Sequence, residues 1–105
     1  MSPSIKLVLD KIKSAVAGID SSAEVYVYGS RARGDERSDS DLDILILIDS
    51  GADLAREKLF RHRLYEIELE EGIALSTMVN NKSDWNLRHW MTPLYKNIAK
   101  EGIRI

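Results

Sequence analysis

Residues 41–49 (DLDILILID) constrain the fold more than any other stretch of the chain. A strand with one wet face alternates apolar and polar side chains. The unbroken run Ile44, Leu45, Ile46, Leu47, Ile48 reads instead as a strand buried on both faces. Such a strand needs partners along both edges and cover above and below, so it takes a central place in a sheet. Its start is acidic. Asp41 and Asp43 are two residues apart and therefore share a face, with Cα atoms about 7 Å apart. The chain thus sets two carboxylates where its most buried strand enters the core.

The rest of the sequence supplies that strand's neighbours. Ile5, Val8, Leu9, Ile12, Ala15 and Val16 recur at steps of three and four after Pro3-Ser4, the stripe of an amphipathic helix that Gly18 is expected to stop. Residues 23–28 (AEVYVY) are β-branched and aromatic, hence a strand. From residue 52 to about 70 the pattern is helical again, with Ala52, Ala55, Leu59, Phe60, Leu64 and Ile67 on one broad face and Gly72 as terminator. Residues 73–79 (IALSTMV) read as a third strand. Residues 80–83 read as a turn, with Ser83 capping a short helix through Trp85. Thr92-Pro93 opens a last helix with Leu94 and Ile98 facing inward, and residues 103–105 form a final short strand. The order is helix, strand, strand, helix, strand, helix, strand. It describes a mixed α/β domain with one sheet and helices packed on it.

Composition narrows the classes of function. At 105 residues the chain fits one domain, 1–105, with little surface for a second substrate. The absence of cysteine excludes disulfides, thiolate zinc sites and cysteine nucleophiles, and makes a reducing cytoplasm the default. The net charge of −2 argues against a generic polyanion-binding surface, so nucleic acid is not expected as a direct ligand. No apolar run reaches the roughly 18–20 residues of a membrane span.

The chemistry-bearing segment is residues 28–49 (YGSRARGDERSDSDLDILILID). Gly29-Ser30 ends a strand. A glycine there permits a sharp turn and close ligand approach, and free N–H groups with the Ser30 hydroxyl offer an anion site. Asp41 and Asp43 bring like charges together at the start of a buried strand, and a hard cation such as Mg²⁺ or Mn²⁺ relieves that repulsion. Arg31, Arg33 and Arg37 lie between, suited to outer phosphates. A calcium loop starting at Asp39 fails, because Ile44 and Ser50 occupy the positions that need glycine and glutamate. Histidines 62 and 89 lack metal-spaced companions and read as structural, and Arg61 and Arg63 as solvated. Trp85, Trp90, Met91 and Tyr95 read as core, or as a partner anchor if exposed.

Gly29-Ser30, ten residues, then Asp41-Leu-Asp43 resembles the minimal nucleotidyltransferases of the DNA polymerase beta superfamily. The resemblance covers most of the chain. It implies a mixed sheet of about four strands with helices largely on one side. It implies that Gly29 and Ser30, with Arg31 and Arg33, hold the triphosphate of ATP, and that Asp41 and Asp43 are the catalytic, Mg²⁺-binding residues. It also implies an antitoxin role: AMP passes from ATP to a tyrosine of a HEPN-domain toxin partner. One departure stands out. The superfamily places a third carboxylate on a later strand, and Ser76 stands at about that position here. Asp35, Asp39, Asp84 or a partner's acid then completes the site, or one metal suffices, or the domain binds its partner stoichiometrically without catalysis. A homo-oligomer is left open.

Overall fold

The computed structural model describes residues 3–29, 41–49, 51–88 and 92–105. Its elements in chain order are α1 (Pro3–Ile19), β1 (Glu24–Tyr28), β2 (Leu42–Ile48), α2 (Leu54–Glu71), β3 (Leu75–Asn81), α3 (Lys82–Arg88), α4 (Pro93–Glu101) and β4 (Ile103–Arg104). The strands form one sheet in the order β3-β2-β1-β4. β1 lies antiparallel to β2 and β4, while β3 returns through α2 to lie parallel to β2.

The unbroken apolar run does what two-sided burial requires. Leu42, Ile44, Ile46 and Ile48 point into a core closed by α1 and α2. Leu45 and Leu47 point the other way, into a smaller cluster with Trp85 of α3 and Ile98 of α4. The two long helices therefore share one face, as expected, and the short α3 and α4 cover part of the other. All six stripe residues of α1 are buried.

Several local expectations shift. α1 passes Gly18 and runs to Ile19. Its stop is a turn at Asp20, whose carboxylate accepts from the Ser22 amide at 3.0 Å and hydroxyl at 2.7 Å. α2 is capped by Asp53, whose side chain accepts from the Arg56 amide, and by Gly72 in the left-handed conformation. Its inward stripe is narrower than the sequence suggested: Phe60, Leu64 and Ile67 are buried, but Ala55 is exposed and Leu59 is 58% exposed. Leu59 stands about 100° around the helix from Phe60. Arg56 takes the inward position one turn before Phe60, and its guanidinium reaches Asp20 Oδ2 at 2.8 Å.

Asn80 and Asn81, expected in a turn, belong to β3. Asn81 is held there by its side chain, which accepts from the Ala52 amide and donates to Asp84. Ser83 consequently lies inside α3 rather than capping it. Thr92 caps α4 as expected, accepting from the Tyr95 amide at 3.1 Å. Ile98 faces inward, whereas Leu94 is 39% exposed, because Tyr95 and Ile98 already form the inward face. Among the described residues no helix is long and apolar enough to cross a membrane.

Phe60 has no exposed surface and joins α2 to the larger core. Phe60→Ala is expected to cost about 3–5 kcal/mol, a large part of the total stability of a small domain. Urea unfolding of both proteins measures it, and a loss below about 1 kcal/mol would contradict this packing.

Candidate functional site

Strand register builds the site. Asp43 lies directly opposite Tyr28 on one side and level with Ser76 on the other. Paired residues in a sheet project to the same face, so Tyr28, Asp43 and Ser76 form a row, with Cβ atoms of neighbours about 5 Å apart. Asp41 lies two residues before Asp43, just outside the strand, and is exposed. The row belongs to the face covered in part by α3 and α4. Two residues further along, Tyr26 and Leu45 floor a cavity of ≈ 360 Å³ walled by Trp85, Tyr95 and Ile98.

Gly29 follows Tyr28 with φ +84, a conformation that side chains other than glycine rarely adopt. A Cβ at this position would collide with the Asp43 carboxylate. The positive φ requires glycine here, and any side chain would also displace the Asp43 carboxylate from its present place. The backbone after β1 is thereby laid against the acid.

Burial pushes the Asp43 carboxyl above the usual carboxylate range, and the Asp41 charge adds to the rise. The Tyr28 phenol is also raised, first by burial and then by the Asp43 charge. The site therefore concentrates negative charge in a partly desolvated place, which a cation would relieve. The donors fit a hard divalent cation: two carboxylates on one face, beside a backbone held close by glycine. Among the described residues no group of three or more His, Asp or Glu gathers as a metal cluster.

Of the sequence-derived site residues, the structure brings together Gly29 and Asp43, with Asp41 at the strand's entry. Ser30, Arg31, Arg33 and Arg37 lie outside the described residues, as do Asp35 and Asp39. Ser76 stands level with Asp43 and is exposed, with no carboxylate at its own position. Asp84 is not brought to the site. It follows the far end of β3, where Asn81 pairs with Ile48. The strand steps from Ser76 to Asn81 amount to roughly 16 Å.

Tyr28 joins this site although the sequence motif does not include it. Its position immediately before Gly29 and the antiparallel pairing of β1 with β2 were the available signals. His62 is exposed beside Glu66 on α2, and Arg63 pairs with the same Glu66 at 2.9 Å. Trp85 is core and stacks obliquely with Tyr95 at 5.4 Å. His89, Trp90 and Met91 lie outside the described residues.

The profile of the family described as "Nucleotidyltransferase domain" matches residues 9–105. A solved structure assigned as a minimal nucleotidyltransferase superposes with TM-score 0.59 at 24% identity, covering 95% of this chain and 94% of that one. A protein of Sulfolobus solfataricus assigned as a nucleotidyltransferase superposes with TM-score 0.49 at 21% identity, covering 99% of this chain and 86% of that one. Among curated proteins none matches the sequence. The first of these two likenesses shows the same fold.

A raised carboxyl pKa means that folding with Asp43 ionised costs free energy at neutral pH. Below the ordinary carboxylate pKa of about 3.9 the group is neutral in both states and the cost vanishes. Asp43→Asn is therefore expected to raise Tm at pH 7, with the gain disappearing as pH falls through the carboxylate range. Thermal melts of both proteins between neutral and acid pH test this. A destabilised Asp43→Asn protein at pH 7 would contradict it.

Proposed function

The chain belongs to the nucleotidyltransferase domain family, and we propose that it moves AMP from ATP onto a hydroxyl of a protein partner, a tyrosine of a HEPN-type toxin. The observation that carries this reading is the close approach of Gly29, at the end of β1, to the Asp43 carboxylate at the acidic start of β2. That arrangement suits a nucleoside triphosphate, because backbone N–H groups and metal-binding carboxylates then face the same phosphates.

In this proposal Gly29 and Ser30, with Arg31 and Arg33, hold the phosphates. Asp41 and Asp43 would hold Mg²⁺ or Mn²⁺, which when bound neutralises charge on the phosphates. The acceptor oxygen attacks the α-phosphorus in line. Its bond to phosphorus forms as the bond to pyrophosphate breaks, and the acceptor's proton passes to solvent water. The chain's own residues position and stabilise rather than react covalently. The acceptor comes from outside this domain. The end of β1 and the start of β2 take the nucleotide, while α1 and α2 are committed to the core behind the sheet.

Ser76 favours a second reading. A two-metal site needs an anionic ligand beside the attacking oxygen, and the position level with Asp43 on β3 carries a neutral hydroxyl. A domain of this kind would bind nucleotide and neutralise its partner by contact alone.

Transfer of label from α-labelled ATP to the purified partner separates the two. Under the leading reading the wild-type protein labels the partner in the presence of Mg²⁺, and Asp41→Asn with Asp43→Asn lowers the rate roughly a hundredfold or more. Equal labelling by that double variant would sink the assignment. Partner binding without labelling by either protein would establish the contact reading.

A further inference from the structure

We propose that Glu24 reads the base of the bound nucleotide: the cleft between β1, α3 and α4 takes the nucleoside, and the Glu24 carboxylate accepts from the exocyclic amine of adenine. This rests on the nucleotide reading above. It adds the half of the ligand that the phosphate-binding residues leave unassigned.

The cleft is the ≈ 360 Å³ cavity on the sheet face that carries Asp43. It follows β1. Glu24 and Lys82 make one end, and the other reaches Gly102, whose neighbour Ile103 pairs with Val27 beside Tyr28. Between these ends the half-buried Tyr26 and Tyr95 give it aromatic surface over the buried cluster of Leu45, Trp85 and Ile98. Apolar walls with a few placed polar groups are the lining of a small-molecule site. The length also fits. Register sets Glu24 opposite Leu47, four residues along β2 from Asp43, or roughly 13 Å. An extended nucleoside 5′-phosphate spans a similar distance from its phosphorus to the far edge of a purine.

The polar end selects the base. The Lys82 ammonium has three N–H bonds, and it already donates to the Ser22 carbonyl at 2.9 Å and to Asp49 at 2.8 Å, with Glu24 at 3.3 Å. Glu24 keeps capacity. Its Oε1 accepts from the Tyr26 hydroxyl at 2.8 Å, and a carboxylate has about four acceptor sites. That hydroxyl also holds the Glu24 carboxyl below the usual carboxylate range, so it is ionised at neutral pH. This end of the cleft therefore presents an anionic acceptor. Adenine carries an amine with two N–H bonds at its far edge, beside a ring nitrogen that needs a donor. The Asn86 amide, also lining the cleft, supplies such a donor. A base with a carbonyl in place of the amine would set its oxygen lone pairs against Glu24.

Calorimetric titration of the full chain in Mg²⁺ tests the proposal with three ligands. They are ATP, the triphosphate of purine riboside (hydrogen in place of the amine) and inorganic tripolyphosphate. The wild-type protein is expected to bind ATP about tenfold more tightly than purine riboside triphosphate, the effect of one hydrogen bond to a charged group. Glu24→Ala removes that difference. Ala99→Trp, which fills the cleft from an exposed helix position, weakens ATP to about the level of tripolyphosphate. Both variants keep their circular dichroism, and both bind tripolyphosphate, which has no base, as the wild type does. Equal binding of the two nucleotides by the wild-type protein overturns the proposal. So does a preference for ATP that persists in Glu24→Ala, or undiminished ATP binding by Ala99→Trp. A wild-type protein that binds neither ATP nor tripolyphosphate overturns the nucleotide reading itself, so the two failures are told apart.

Discussion

β2 is buried on both faces, and everything that matters in this molecule is set by that strand. Its even-numbered residues close the core beneath α1 and α2, and Leu45 and Leu47 close the cluster beneath α3 and α4. Both alternating sets are tied to cores, so β2 cannot slip by a residue without exposing one of them. The same register fixes Asp43 between Tyr28 and Ser76 and lays Gly29 against its carboxylate. The position of Asp43 is thus inherited from hydrophobic burial a few residues away.

That dependence has an energetic side. Burial and the Asp41 charge both oppose ionisation of Asp43. The core of β2 holds a carboxylate in a place that the carboxylate alone would avoid. Strain of this kind at a site held by a well-packed scaffold is typical of pre-organised chemistry, where a cation and phosphates complete the charge balance. At the other end of β2 the charges are instead paired: Lys82 reaches Asp49 at 2.8 Å and Glu24 at 3.3 Å.

Much of this was legible in the sequence, and for physical reasons. The unbroken run Ile44–Leu45–Ile46–Leu47–Ile48 has one reading, two-sided burial, and the structure places β2 inside the sheet. The α1 stripe was equally clear, because a long helix on a single core shows its period over several turns. What the sequence blurred were residues whose partners are remote. Arg56 turns inward to bond Asp20, in a position the sequence pattern would give to a solvated residue. Asn80 and Asn81 look like a turn, but side-chain bonds at Asn81 to Ala52 and Asp84 keep the strand going. At the site, spacing gave the acids and the glycine. It could not show that Tyr28 joins their row or that Asp84 lies far from it, since both depend on strand pairing. Ser76 was located from pattern alone, and the parallel register of β3 puts it level with Asp43.

The central claim is that the row across β1, β2 and β3 is a nucleotide site organised by Asp43. The most direct measurement is a map of backbone amide chemical shifts on adding ATP with Mg²⁺ to the isotopically labelled protein. The account predicts changes concentrated at Tyr28, Gly29, Asp41, Asp43 and Ser76, lost in the Asp41→Asn, Asp43→Asn protein. Saturating nucleotide that leaves those amides unmoved, or that moves only residues at the far end of β2, would contradict it.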